Sequence, residues 1–212
     1  MVERINSDGL TIYQEGTTVS ERSVLPDQFG RFLRTVFDEW VRHDVGTVFV
    51  QTFEATLRNW LHMGSSGMCV FNETCGTGLA LEHNGDLFSC DHFVEPDYLL
   101  GNIRERHMLE LVSAPQQVPF GLDKRDTLPR YTREYDVRFA CHGECPKNRF
   151  VETPDGEGGL NYLCPGFKDF FHHVDFPMKL MGGLLRRGRE AREVMAVLDR
   201  ADAGGRVTPG TP

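Results

Sequence analysis

With 212 residues and a net charge of −8, the chain is long enough to bury a core and too acidic for general nucleic-acid binding. No apolar run is long enough to cross a bilayer, and residues 1–8 lack the apolar stretch of a secretory signal, so a cytoplasmic, membrane-free setting is expected. In that reducing setting, six closely spaced cysteines point to metal ligation, whereas a secreted chain could pair them as disulfides.

Residues 1–23 are polar, with a short strand candidate at residues 9–13. Pro26 opens a helix, with Ser23 able to cap it and Asp27 in its first turn. Phe29, Phe32, Leu33, Val36, Phe37, Trp40 and Val41 recur at helical spacing and form a core face. Gly46 ends this helix, residues 47–50 read as a short buried strand, and a second helix turns Phe53, Leu57, Trp60 and Leu61 inward. That alternation suggests an α/β unit. The Gly64-Ser65-Ser66-Gly67 junction marks the expected domain boundary, giving segments 1–63, 64–187 and 188–212.

The cysteines begin beyond that junction. Cys69, Cys75 and Cys90 are spaced C-x5-C-x14-C, and Asn84-Gly85 between alternating apolar residues predicts a hairpin over residues 79–88 with a tight primed turn. Such a hairpin would fold Cys90 back toward Cys75. Residues 98–103 could pair briefly before a helix over residues 104–113, and residues 114–130 read as a long irregular loop. Cys141 and Cys145 lie in a turn, with Cys164 further on. Residues 153–159 read as a surface loop. Helices are predicted over residues 167–174 and 177–185, a charged terminal helix over residues 186–200, and a disordered tail over residues 201–212.

Thiolates hold iron–sulfur clusters, commonly four to a cluster. The spacing here is not the paired C-x2-4-C knuckle of a zinc ribbon, although a small zinc site or buried free cysteines would also accommodate these residues. Taken alone, Asp91 reads as a residue that caps the end of the hairpin or bonds a backbone amide, and Lys147 and Arg149 as surface charges. His83, His92, His107, His172 and His173 read as solvated or core histidines.

The runs Asn84-Gly85-Asp86, Cys90-Asp91-His92-Phe93, Leu100-Gly101-Asn102-Ile103 and Cys141-His142-Gly143-Glu144-Cys145-Pro146-Lys147 resemble the auxiliary-cluster (SPASM) region of anaerobic sulfatase-maturating enzymes. These are radical S-adenosylmethionine oxidoreductases that convert a sulfatase cysteine or serine to formylglycine. The resemblance runs to about Arg187 and covers only the C-terminal half of such an enzyme. It implies an α+β chain: the last β/α units of a partial barrel, then a SPASM-type domain with a β-hairpin and C-terminal helices.

By that resemblance Cys69, Cys75, Cys90 and Cys145 are the metal ligands of one [4Fe-4S] cluster, and Asp91 takes the proton from the substrate thiol or hydroxyl. A second cluster is expected to be lost. Its C-x2-C pair falls at Thr132 and Tyr135, leaving only Cys141 and Cys164 as metal ligands. A labile remnant there, or a zinc ion held by Cys141, Cys164 and His142, stays open. No cysteine precedes Cys69, so the C-x3-C-x2-C motif that binds S-adenosylmethionine is missing. S-adenosylmethionine is therefore expected only with an N-terminal half supplied. The chain would be a fragment, a split half or a degenerate descendant. Its expected partners are a sulfatase polypeptide and a separate radical-SAM domain, with no nucleic acid and no membrane; the alternative is a non-catalytic metal-binding or peptide-binding module.

Overall fold

The computed structural model describes residues 2–5 and 16–204, so the strand candidate at residues 9–13 and most of the tail lie outside the described residues. Along the chain the elements are β1 (Arg4–Ile5), β2 (Thr18–Val19), α1 (Pro26–His43), α2 (Gln51–Trp60), β3 (Ala80–Leu81), β4 (Asp86–Phe88), β5 (Leu99–Asn102), α3 (Met108–Val112), α4 (Gln117–Asp126), α5 (Arg130–Arg133), α6 (Arg138–Cys141), β6 (Arg149–Val151), β7 (Leu160–Asn161), α7 (Cys164–Arg186) and α8 (Glu193–Asp202). The chain is α+β, and its strands pair antiparallel throughout the described residues. No described helix is long and apolar enough to cross a membrane.

Two compact units result. One comprises Leu25–Met68 with Pro165–Pro212, the other Met1–Val24 with Cys69–Cys164. The division near Met68 falls just after the glycine-flanked junction. The C-terminal helices, however, share a unit with α1 and α2, unlike the expected segments.

In the helical unit the apolar stripe of α1 buries Leu33, Phe37, Trp40 and Val41, whereas Phe32 and Val36, expected on the same face, are exposed. Phe37, Phe53 and Phe170 meet edge-on or stacked, with centroids 5.2–6.1 Å apart, the offset arrangements that ring quadrupoles favour. α1 and α7 approach closely because Gly30 faces Gly166: a Cβ on Gly30 would lie 2.9 Å from the Gly166 carbonyl oxygen. Trp60 Nε1 donates to Asp175 at 3.1 Å and Trp40 Nε1 donates to the Val48 carbonyl at 2.8 Å, so both indoles are satisfied. α8 buries Val194 and Leu198 as its pattern predicts.

Several expectations are corrected here. Residues 47–50 form no strand: Val48 and Phe49 are exposed, and the short apolar run leads into α2. Ser23 does not cap α1. Leu25 occupies that position, and the Ser23 hydroxyl instead accepts from the Glu3 amide at 2.9 Å. Pro177 starts no new helix but sits inside α7. An interior proline costs about 3 kcal/mol or more. Met178, Met181 and Leu184 are almost fully buried beyond it, and each buried side chain of this size contributes about 1.5–3 kcal/mol. Packing therefore outweighs the lost hydrogen bond.

The cysteine-bearing unit is built from short pieces. β3, β4 and β5 form a three-stranded antiparallel sheet with a bulge at Leu87/Phe88, and Leu87, Leu100, Leu111 and Ala114 cluster against it. The β3–β4 connection differs from the tight primed turn. The Glu82 amide donates to the Asp86 carbonyl and the Gly85 amide to the Glu82 carbonyl, making a three-residue loop in which Gly85 alone has positive φ, +95°. Asn102 fixes that loop by donating to the Asn84 carbonyl and to Asp86 at 3.0–3.1 Å. Any Cβ on Gly85 would sit 2.7 Å from the Asn102 amide oxygen. Two of the motif runs, around Gly85 and Asn102, are thus one contact.

Candidate metal centre

Residues 114–130 are no loop, contrary to the sequence expectation. They contain α4, and α4 is the element that gathers the cysteines. Gln117 Nε2 donates to the Gly76 carbonyl at 2.8 Å and to the Ser89 carbonyl at 3.2 Å, tying the loop after Cys75 to the strand before Cys90. The Cys75 amide donates to the Gly121 carbonyl at 3.1 Å, and a Cβ on Gly121 would lie 2.6 Å from the Cys75 carbonyl oxygen. One turn further, Lys124 Nζ donates to the carbonyls of Cys69 and Val70 at 2.6 and 2.9 Å. Gln117, Gly121 and Lys124 are the buried residues of α4. Its inward face is polar because what it binds is backbone, so no apolar period marks it.

The turn carrying Cys145 is conformationally costly. His142, Gly143 and Glu144 all have positive φ, +47°, +71° and +53°, and each non-glycine residue in that region costs on the order of 1–3 kcal/mol. Arg149 offsets this. Its guanidinium donates to the carbonyls of His142, Gly143 and Glu144 at 3.0–3.2 Å, and to that of Lys124 at 2.6 Å. The Glu144 carboxylate is held by Asn148 and Asn161 at 3.1 and 2.6 Å. Arg149 is therefore an internal strut, and reading it as a surface charge is corrected.

Electrostatically Cys69 acts on Cys75, Cys75 on Cys90 and Cys90 on Cys145, a first group of four, and His92 touches both Cys90 and Cys145 through its amide and its ring. Cys141 neighbours Cys164, and the charges of both act on Tyr135. Thr132 and Tyr135 are buried. Burial, then the charges of Cys141 and Cys164, push the Tyr135 hydroxyl far above its ordinary range, so it stays protonated there.

Asp91 is exposed beside the first group. Its amide donates to the Gly78 carbonyl at 3.0 Å, and its carboxylate accepts from the Cys90 thiol at 3.3 Å. His92 Nδ1 lies 3.1 Å from Cys145 Sγ, and the His92 amide donates to Cys90 Sγ at 3.4 Å. Cys90, Asp91 and His92 offer donor atoms within 4.8 Å of one another. His92 is thus no generic core histidine. Its position directly after the cysteine–aspartate pair was the available signal.

Burial pushes the thiols of Cys90, Cys141 and Cys145 up to about 12. Without metal they are neutral, and iron has to displace their protons. A thiol raised on folding favours the folded state fully below its unfolded value of about 8.5, and loses that margin as pH climbs toward the folded value. The urea midpoint of metal-free protein should therefore fall between roughly pH 9 and 12. A midpoint constant across that interval would contradict the burial of these thiols.

Residues 69–147 match the SPASM family, an iron-sulfur cluster-binding domain. The chain is 46% identical over 205 residues to a serine-type anaerobic sulfatase-maturating enzyme of Bacteroides thetaiotaomicron, covering 93% of this chain and 49% of that protein. It is 33% identical to the serine-type enzyme of Klebsiella pneumoniae (79% of this chain, 41% of that one) and 28% identical to a cysteine-type enzyme of Clostridium perfringens (73% and 41%). A solved structure of native anSMEcpe with bound AdoMet and Kp18Cys peptide superposes with a TM-score of 0.69 at 25% identity, over 81% of this chain and 47% of that one. The chain spans about half the length of the relatives it matches. In sequence and in structure the chain is thus similar to about half of an anaerobic sulfatase-maturating enzyme, with a SPASM iron–sulfur cluster-binding domain over residues 69–147.

Proposed function

We propose that the chain is the auxiliary-cluster and substrate-binding portion of an anaerobic sulfatase maturase, inactive without an S-adenosylmethionine-cleaving portion. One observation supports the reading above the others: α4 bonds the backbone at Cys69 and beside Cys75 and Cys90, and His92 touches Cys90 and Cys145, with Asp91 exposed beside them. The donor set fits a [4Fe-4S] cluster, since four thiols satisfy its usual ligand count. Cys69, Cys75, Cys90 and Cys145 would hold it, and when bound it supplies a one-electron acceptor. Cys141 and Cys164, with Thr132 and Tyr135 for neighbouring cysteines, would hold no second cluster of the usual kind. In this reading residues 1–63 correspond to the end of the partial barrel.

Asp91 is the base in this proposal. Its backbone is fixed through Gly78 while its carboxylate stays exposed, so it can accept the proton of an incoming sulfatase hydroxyl or thiol. The higher identity to serine-type than to cysteine-type relatives, 46% and 33% against 28%, favours a serine substrate.

The test combines the reconstituted chain with the S-adenosylmethionine-cleaving half of the Bacteroides relative and a sulfatase peptide. The chain alone should give neither 5′-deoxyadenosine nor formylglycine, and the mixture both. D91N should lower formylglycine yield by about 10²–10⁴-fold with iron content unchanged. Full D91N activity would remove the aspartate from its role. Iron-loaded chain that binds the peptide but never supports oxidation would leave the non-catalytic binding module.

A further inference from the structure

Lys124 is completely buried, and Arg149 is largely enclosed. Every hydrogen bond from the two cations goes to a backbone carbonyl, and among the described residues neither has a carboxylate within 4 Å. Glu144 acts electrostatically on both, and its carboxylate accepts from Asn148 and Asn161. A fully buried and a half-buried cation therefore lie without a carboxylate in ion-pair range among the described residues. Buried charge is costly unless an opposite charge compensates it. Thiols adjoin the backbone that the two cations hold: Lys124 bonds the Cys69 carbonyl and Arg149 the three carbonyls between Cys141 and Cys145, and Cys75 and Cys69 act on Lys124 as Cys141, Cys145 and Cys75 do on Arg149.

We propose that Lys124 and Arg149 are a built-in counter-charge that raises the electron affinity of the four-cysteine centre. This rests on the reading of that centre as a [4Fe-4S] site. Four thiolates around such a core carry a net charge of about −2 oxidised and about −3 after one electron enters from an external low-potential donor, with no bond made or broken. Positive charge fixed nearby favours the reduced form more than the oxidised one, and low solvent exposure leaves it poorly screened. The carbonyl bonds keep both cations in place in either state. Lys124 and Arg149 are thus positioning residues that act through the field, without touching substrate.

The test is a redox titration of the reconstituted full chain, followed by electron paramagnetic resonance. K124Q retains an amide donor for the carbonyls and removes the charge. It should keep its iron and sulfide while shifting the reduced-to-oxidised ratio at fixed potential at least tenfold toward oxidised, which is 59 mV for one electron. K124R should restore the ratio, and K179Q, at an exposed lysine of the helical unit, should leave it unmoved. A K124Q ratio within twofold of the parent, iron retained, overturns the proposal. Should K124Q lose its iron, K124R that holds iron with the parent ratio supports a requirement for charge, and K124R that also loses it overturns the proposal. A parent chain that binds no iron fells the reading of the centre itself, a result distinct from an unmoved potential.

Discussion

Reconstituted protein should bind close to one four-iron cluster, not two. The reason is the division of the thiols. Contacts through α4 and His92 link the segments of Cys69, Cys75, Cys90 and Cys145, whereas Cys141 and Cys164 act electrostatically on Tyr135, with the buried Thr132 nearby in sequence. A threonine hydroxyl and a tyrosine held protonated by burial are poor substitutes for thiolate, which is the form that binds iron. Alanine at any of the first four cysteines should remove most of the iron, because three ligands leave the core open. Alanine at Cys164 should leave iron nearly intact. Iron and sulfide near eight per chain, with matching Mössbauer intensity, would show that the second pocket binds a cluster after all.

That division was only partly legible in the sequence. The four-cysteine grouping came through the resemblance, since spacing alone could not say that Cys145 sits beside Cys90 across an intervening stretch with no strong period. α1 was readable because Phe37, Trp40 and Val41 recur at helical spacing and all turn out buried. α4 was not, because Gln117, Gly121 and Lys124 face inward to bind carbonyls, and an apolar count registers a polar inner face as loop. Arg149 was missed for the same reason, whereas His92 touches thiol sulfurs and was passed over although it directly follows Cys90-Asp91. A charge serving buried backbone looks, in one dimension, like a charge in water. Pro177 misled in the opposite way: the local rule was sound, but the buried residues beyond it carried α7 through.

Removing the metal should loosen the cysteine-bearing unit far more than the helical one. The helical unit has α1 of 18 residues and α7 of 23, and an aromatic cluster of Phe37, Trp40, Phe53, Phe170 and Phe171. Burying an aromatic or aliphatic side chain contributes about 1.5–3 kcal/mol, so that cluster alone is worth on the order of 10 kcal/mol. In the other unit the strands are two to four residues long, and the cluster behind the hairpin is Leu87, Leu100, Leu111 and Ala114. Ordering each residue's backbone costs roughly 1–2 kcal/mol, which such short elements offset poorly without cross-links. The costly turn at His142–Glu144, the buried Lys124 and the half-buried Arg149 push the same way in metal-free protein. A metal that joins Cys69, Cys75, Cys90 and Cys145 only in the folded state adds its binding free energy to folding. Hydrogen exchange on apo and reconstituted protein should then show amides of α1 and α7 similarly protected in both. Amides over residues 79–91 and around Cys145 should exchange at least tenfold faster in the apo form, a difference of about 1.4 kcal/mol in opening. Equal protection over residues 79–91 in the two forms would mean that the hairpin, α4 and their hydrogen bonds organise the centre without metal.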